Sequence, residues 1–257
     1  MKTISDAQRR ASYILSGLPA LFLLIDGAMK LFRPAAVIEA TTQLGYHESV
    51  ILPIGVVLLI CTILYLIPRT NTLGAILLTG YLGGAVNTHV RAWQGWFPVL
   101  FPVVFGVMLW GGLYLREQRL SALLPLTSAG VASAGKLKWG GYVLSALPAL
   151  LLVFSASMKL SGNPQAVDGF RNFGYQAQAV LGIGILELSC TVLYLIPRTA
   201  VLGAILLAGY MGGAIVTHMR VGEPFIVQAL VGVLLWGGLF LRDERLRALL
   251  PLHSVSR

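Results

Sequence analysis

The sequence has 257 residues, of which 56% are hydrophobic and only 11% are charged. Soluble domains carry about a quarter charged residues, so this composition excludes an ordinary soluble fold. The formal net charge of +9 does not indicate nucleic-acid binding, because the basic residues lie mostly between apolar segments, as in membrane proteins. Cys61 and Cys190 lie inside apolar runs without metal-ligand spacing, so we predict neither a disulfide framework nor a metal site.

The first apolar segment follows a polar and basic N-terminus that contains Lys2, Arg9 and Arg10. This segment continues beyond the length of a signal peptide and has no convincing small-residue cleavage site. We therefore expect it to be the first transmembrane helix rather than a removed leader.

Eight apolar segments follow one another along the chain, each close to the roughly 20 residues that a helix needs to cross a bilayer. They cover residues 11–31, 50–67, 72–90, 97–115, 141–160, 177–196, 200–218 and 224–241. They are too long for barrel strands and lack the alternation of such strands. Because lipid offers no partner for free backbone amides, the sequence predicts an all-α integral membrane protein with eight transmembrane helices.

The second half of the chain repeats the first. LYLIPRT occurs at residues 64–70 and 193–199, and GYLGGAVNTHVR at residues 80–91 matches GYMGGAIVTHMR at residues 209–220. Both pairs are offset by 129 residues, whereas two copies of ALLPL further along are offset by 126. We predict two four-helix units and a Ser-, Ala- and Gly-rich linker, which cover residues 1–126, 139–257 and 127–138.

The loops between the segments predict the topology. Pro68 and Pro197 end the second helix of each unit, and a short connection then forms a tight helical hairpin. A cytoplasmic N-terminus places thirteen of the nineteen lysines and arginines on the cytoplasmic side, so we expect both termini in the cytoplasm and a location in the cell membrane. Four helices per unit give both units the same topology, related by a pseudo-two-fold axis along the membrane normal.

The third helix of each unit carries a GxxGG pattern, at residues 80–84 and 209–213. Small residues let membrane helices approach closely, so we expect tight packing on these glycine faces. The pattern is not a phosphate-binding loop, because no strand precedes it and no GKS or GKT follows. We expect the five tryptophans near the helix ends, as in aromatic belts. They are Trp93, Trp96, Trp110, Trp139 and Trp236.

Asp26 and Lys30 are the ionisable residues of the first helix. Their spacing of four residues lets them pair on one helix face. Such a pair can lie at the membrane surface, with the lysine extended outward, or it can line a cavity. Both interpretations remain open.

In the second unit the acid lies on another helix. Ser155 stands where the first unit has Asp26, and Glu187 stands in place of Leu58. Glu187 is about 15 Å deep in its helix, where a carboxylate is either protonated or paired. Lys159 is its candidate partner. Glu187 either belongs to a cavity or buried network, or ties its helix to a neighbour.

We expect a polar cavity in each unit, open to the extracytoplasmic side and deeper in the second unit because of Glu187. The two repeat-equivalent histidines could instead form interfacial hydrogen bonds. The candidate binding residues are Asp26, Lys30, His89, Arg91, Lys159, Glu187, His218 and Arg220. No catalytic motif of high specificity is present, so the sequence leaves open whether the protein is an enzyme.

Together, these motifs resemble the DoxX-like family of membrane proteins. The resemblance rests on GAMK at residues 27–30, the GY before the second helix, LYLIPRT and GYxGGAxxTHxR, and it covers nearly the whole chain twice. The chain therefore resembles a tandem fusion of two four-helix units. Glu187 looks like the usual acid on the second helix of the family, which the first unit lacks at Leu58.

The resemblance implies a link to redox metabolism, because the family takes its name from proteins associated with a thiosulfate:quinone oxidoreductase. Our first interpretation is an accessory membrane component that binds a small lipophilic molecule, with a quinone as one candidate. The alternatives are a membrane subunit of an oxidoreductase that works with a soluble redox partner, and a transporter of a small solute through the cleft between the units. The bilayer is the expected environment, and no nucleic-acid partner is expected.

Overall fold

The structure is a computed structural model that describes residues 5–117, 120, 136–247 and 250. Within these residues the regular secondary structure consists of helices, which are joined by turns and short loops. The chain termini, residues 127–135 of the predicted linker and most of the two ALLPL segments lie outside the described residues. The last three residues of the predicted linker belong to a helix that begins at Lys136.

Each unit contains four long helices and a short helix between the first and second of them. The first unit comprises α1 (Asp6–Phe32), α2 (Ala35–Gln43), a 3₁₀ turn (Glu48–Val50), α3 (Ile51–Leu66), α4 (Asn71–Ala92) and α5 (Trp96–Arg116). The second comprises α6 (Lys136–Leu160), α7 (Pro164–Asn172), α8 (Ala177–Leu195), α9 (Ala200–Arg220), α10 (Ile226–Arg242) and α11 (Glu244–Arg247). The short helices α2 and α7 are absent from the sequence prediction because nine-residue segments leave no membrane-length apolar signal.

Among the described residues, six helices are long and apolar enough to cross a membrane, namely α1, α3 with its preceding turn, α5, α6, α8 and α9. Two of the eight predicted spans do not meet this requirement. Helix α10 is apolar but has only 17 residues. Helix α4 has 22 residues, but its polar side chains, Asn87 and His89 among them, lower its hydropathy.

The LYLIPRT repeat forms the same turn in both units. The hydroxyl of Thr70 donates to the carbonyl oxygen of Leu64 at 2.7 Å, and Thr199 donates to Leu193 at 2.7 Å. This bond closes the turn after Pro68, where the proline has no amide to continue the helix. The predicted tight hairpins are therefore confirmed.

A polar contact closes the bundle at the end where α3 and α5 finish. The Tyr65 hydroxyl donates to Ser16 Oγ on α1 at 2.7 Å, and the guanidinium of Arg116 donates to the same oxygen at 2.7 Å. The second unit repeats part of this arrangement, with Tyr194 donating to Ser145 at 2.7 Å. The two LYLIPRT tyrosines are fully buried and hold the basic ends of the helices together.

The two units meet along α4 and α9, whose glycines face each other. A Cβ atom added to Gly83 would lie 2.1 Å from the carbonyl oxygen of Gly209, and one on Gly212 would lie 1.8 Å from that of Gly80. Gly83 is equivalent to Gly212 in the repeat, and Gly80 to Gly209, so the contacts are reciprocal. Reciprocal contacts are what a two-fold relation produces. The predicted close packing on the glycine faces is confirmed, and the direction of the axis relative to the membrane stays a prediction.

Candidate functional site

The second unit holds a buried ion pair between two helices. Nζ of Lys159 on α6 lies 2.8 Å from Oε2 of Glu187 on α8, and the two side chains are only 7% and 1% exposed. Lys159 also donates to Ser155 Oγ at 2.5 Å and lies 5.5 Å from the ring centre of Phe170 on α7. The expected pairing of Lys159 with Glu187 is therefore present, and it closes the space between three helices.

In the first unit, the lysine equivalent to Lys159 forms its ion pair within a single helix. The Lys30 ammonium donates to the carboxylate of Asp26 one turn earlier in α1. These side chains are 16% and 34% exposed, so they are more accessible than the pair in the second unit. Leu58, which occupies the position of Glu187, is completely buried and apolar.

A tyrosine on the glycine-rich helix accompanies each acid. Tyr210 on α9 lies beside Glu187, and Tyr81 on α4 lies beside Asp26, with which it shares a cavity wall. The sequence interpretation used these tyrosines only as part of the repeated motif. Their repeat in both units was the signal that could have identified them, because each precedes its GG pair by two residues.

A cavity of about 1200 Å³ opens beside the ion pair of the first unit. Asp26, Lys30 and Tyr81 form part of its wall, together with His89. Most of the remaining wall is apolar and comes from α1 to α5 of the first unit and from α9 and α10 of the second. Aromatic rings at Phe22, Phe101 and Phe105 pack against one another on one side of it.

The DoxX-like family model matches residues 14–112 and 143–238. The chain belongs to the DoxX-like family. The two matched regions coincide with the two helical units, so the chain is a tandem arrangement of two DoxX-like units in a multi-pass membrane protein. No curated relative and no solved structure matches the chain.

The ion pair of the second DoxX-like unit does not line this cavity. Glu187 and Lys159 are absent from its wall, and Lys159 already binds the carboxylate of Glu187. This cavity is therefore not the deeper one expected around Glu187, and that expectation stays a prediction. A binding role for Glu187 and Lys159 stays a prediction.

Arg91 and Arg220 lie where the two DoxX-like units meet, and they are also absent from the cavity wall. Arg91 donates to the carbonyl oxygen of Leu44, and Arg220 donates to that of Phe173 at 2.5 Å. Both carbonyls belong to the C-cap residues of α2 and α7, and the C-terminal end of a helix carries partial negative charge. The two arginines therefore anchor the short helices to α4 and α9, and a role in ligand binding stays a prediction.

Tyr46 and Tyr175 fix the loops that follow these short helices. The Tyr46 hydroxyl forms a hydrogen bond of 2.6 Å with Thr88 Oγ1, and the Tyr175 hydroxyl forms one of 2.7 Å with Thr217 Oγ1. Burial raises the pKa of both tyrosine hydroxyls, so both remain protonated. In the first unit this contact places the α2–α3 loop against the cavity, because Tyr46 and Thr88 both line it.

The two repeat-equivalent histidines have different surroundings. Nδ1 of His218 lies 2.9 Å from the carboxylate of Glu223, which supports the interpretation as an interfacial hydrogen bond. His89 interacts with Gln94, which occupies the position of Glu223, and it lines the cavity. The two histidines are equivalent in the sequence repeat, but in the structure they have different partners and only His89 lines the cavity.

The tryptophans divide into two groups. Trp93, Trp96 and Trp139 are exposed near helix ends, as an aromatic belt requires. Trp110 and Trp236 are partly buried and pack against the cores of the units, so their place in an aromatic belt stays a prediction.

Three side chains in the cavity wall carry buried polar atoms that have no hydrogen-bond partner among the described residues. They are His89 Nδ1, Gln228 Oε1 and Trp236 Nε1. The sequence interpretation did not identify Gln228 or assign a binding role to Trp236. Within the described ranges there is no group of three or more His, Cys, Asp or Glu side chains that could hold a metal ion, and both cysteines are free and buried.

Proposed function

We propose that this DoxX-like protein binds a small lipophilic molecule in the cavity of its first unit. The observation that carries the proposal is an apolar cavity of about 1200 Å³ whose wall contains the Asp26–Lys30 ion pair. Ligand sites are typically concave and apolar, with a few polar groups that orient the ligand. This cavity exceeds the range of about 300–1000 Å³ common for drug-sized ligands, which favours a molecule with a long apolar tail.

A quinone is the leading candidate. An ammonium group has three donors, so Lys30 can bind a ligand carbonyl oxygen while it remains paired with Asp26. The aromatic rings of Phe22, Phe101 and Phe105 offer faces against which a planar ring can pack. The link to redox metabolism rests on the family resemblance, and the protein acts in this proposal as an accessory component.

Of the two alternative functions, the cavity favours an oxidoreductase subunit over a transporter of a small solute. A membrane subunit of an oxidoreductase could hold its quinone there and exchange electrons with a soluble partner. A transporter that moves a solute between the units is less favoured, because the glycine faces of α4 and α9 are in close contact along that path.

We also propose that α4 and α10 cross the membrane, which gives eight spans in the cell membrane with both termini in the cytoplasm. The ends of α3 and α5 lie near the same part of α1, since Tyr65 and Arg116 both bind Ser16. Helix α4 must then run to the opposite end for α5 to return. Likewise Arg242 at the end of α10 donates to the carbonyl oxygen of Tyr194, beside the start of α9, at 3.4 Å.

Filling the cavity tests the proposed function. Ala85 lines the cavity on α4, and its repeat equivalent Ala214 on α9 is not part of the wall. Isothermal titration of the detergent-solubilised protein with a decyl-substituted benzoquinone should give saturable binding. Ala85→Phe should weaken it at least about tenfold, while Ala214→Phe should leave it within about twofold. Absence of saturable binding to the unaltered protein would exclude the quinone as the ligand, and equal loss in both variants would contradict the proposed site.

A further inference from the structure

Trp236 on α10 differs from its repeat equivalent in its hydrogen bonding. In the first unit, Nε1 of Trp110 donates to the hydroxyl of Thr79 on α4 at 2.8 Å. In the second unit, Ala208 occupies the position of Thr79 and offers no side-chain oxygen. Nε1 of Trp236 is buried and has no hydrogen-bond partner in the part of the chain that the structure describes. The second unit therefore has the indole donor but lacks the threonine hydroxyl that accepts from it in the first unit.

Both members of this altered pair face the ligand cavity. Trp236 and Ala208 belong to the second unit, yet they line the cavity beside the ion pair of the first unit. Trp110 and Thr79, where the bond is intact, are not part of that wall. Buried donors in folded proteins are almost always paired, so an unpaired indole N–H beside a cavity indicates a partner that enters the cavity.

A second polar group lies on the same side of α10. Oε1 of Gln228 is also buried without a partner among the described residues, and Gln228 lines the cavity. The first unit has Pro102 at this position, which carries no side-chain polar group. Gln228 lies eight residues before Trp236, a rise of about 12 Å along the helix. Gly232, between them, also lines the cavity and keeps the wall free of side-chain atoms.

We propose that the second unit completes the binding site of the first, with Nε1 of Trp236 donating a hydrogen bond to a carbonyl oxygen of the lipophilic ligand. This inference rests on the proposed function and adds the chemical group that the ligand must present. The acceptor is a quinone carbonyl or an ester carbonyl of a lipid, and Gln228 contacts a second polar group of an elongated ligand. A single four-helix unit would lack this half of the site.

The natural repeat supplies the test variants. Trp236→Phe removes the donor and keeps an aromatic ring, while Trp110→Phe is the matched control because its donor is already bound to Thr79. Ala208→Thr keeps the indole and restores the acceptor that the first unit has, so Trp236 becomes paired within the protein. The probes are a decyl-substituted benzoquinone and, separately, a short-chain diacylglycerol, each titrated into detergent-solubilised protein.

Trp236→Phe and Ala208→Thr should each weaken binding of the preferred probe about tenfold, while Trp110→Phe should stay within about twofold. Infrared difference spectra should show a lowered stretching frequency for the probe carbonyl that Trp236 binds. This component should disappear in both cavity variants, whereas a component from a carbonyl bound by Lys30 should remain. Tighter binding of the quinone identifies a quinone carbonyl as the acceptor, and tighter binding of the diacylglycerol identifies a lipid ester.

Two outcomes would overturn the inference in distinguishable ways. If the unaltered protein binds a probe and both cavity variants bind it equally well with the same carbonyl frequency, Trp236 is not the donor, although the proposed function stands. If the unaltered protein binds neither probe, the proposed function falls together with the inference. Ala208→Thr gives a result even if Trp236→Phe does not fold, because it removes no core side chain.

Discussion

The two units share one fold but place their ion pairs differently, and this difference decides which unit has an accessible polar wall. In the second unit Lys159 reaches from α6 to Glu187 on α8, and the pair is buried between the helices. In the first unit Lys30 pairs with Asp26 on its own helix and remains beside a cavity. An ion pair between two helices fills the space between them, whereas an ion pair within one helix leaves the neighbouring cavity open to a ligand.

The largest loss of folding stability is expected when the buried ion pair of the second unit is broken. Glu187→Leu restores the residue type of the first unit but leaves the Lys159 ammonium buried without a counter-charge. Removing one partner of a buried ion pair costs about 3–5 kcal/mol. Unfolding in mixed micelles should therefore show a loss of that size.

The control for this experiment removes both charges. The double variant Glu187→Leu with Lys159→Met should recover most of the lost stability, because apolar replacement of a whole buried pair is often neutral. Equal stability of the single and double variants would show that the pair does not close the second unit.

The contact between the units should be the next most sensitive feature. Gly83→Ala places a Cβ atom 2.1 Å from the carbonyl oxygen of Gly209, so α4 and α9 must move apart. Overpacking of this kind costs about 1–3 kcal/mol. Gly182→Ala on α8 is the matched control, since no described atom lies within 4 Å of its added Cβ atom. The control should be neutral or stabilising by up to about 1 kcal/mol, and equal losses in both variants would refute the interface.

The smallest effect on stability is expected at the accessible pair. Asp26→Asn removes the charge of a side chain that is 34% exposed, so the free energy of unfolding should change by less than about 1 kcal/mol. The same acid-to-amide change at Glu187 should cost several times more. If Asp26→Asn were as destabilising as Glu187→Gln, the contrast between a closed pair and an accessible pair would be wrong.

Much of this architecture follows from the sequence alone. Apolar length located the long helices, the repeat located the two units, and depth along the helix identified Lys159 as the partner of Glu187. These features depend on spacing along the chain, which the sequence contains directly. Even so, length and hydropathy support six spans rather than eight, because α10 has only 17 residues and α4 carries polar side chains such as Asn87, which binds the Gly213 carbonyl on α9.

The sequence could not predict which polar residues share a cavity. It placed Arg91 and Arg220 with Lys30 among the candidate cavity residues, but position along a helix does not determine the direction in which a side chain leaves it. Both arginines turn toward the ends of the short helices α2 and α7, which have no hydropathy signal. Trp236 was missed for a related reason, since its role depends on packing between units and on the replacement of Thr79 by Ala208.

Photoaffinity labelling tests the central claim most directly. An azido-substituted decyl-benzoquinone, irradiated with the purified protein and mapped by mass spectrometry, should label the cavity wall of the first unit, on α1, α4 and α5, together with α10 near Trp236. Excess unlabelled decyl-benzoquinone should abolish this labelling, and Ala85→Phe should reduce it. Competable labelling confined to α6 and α8 around Glu187, with none on the first unit, would contradict the account.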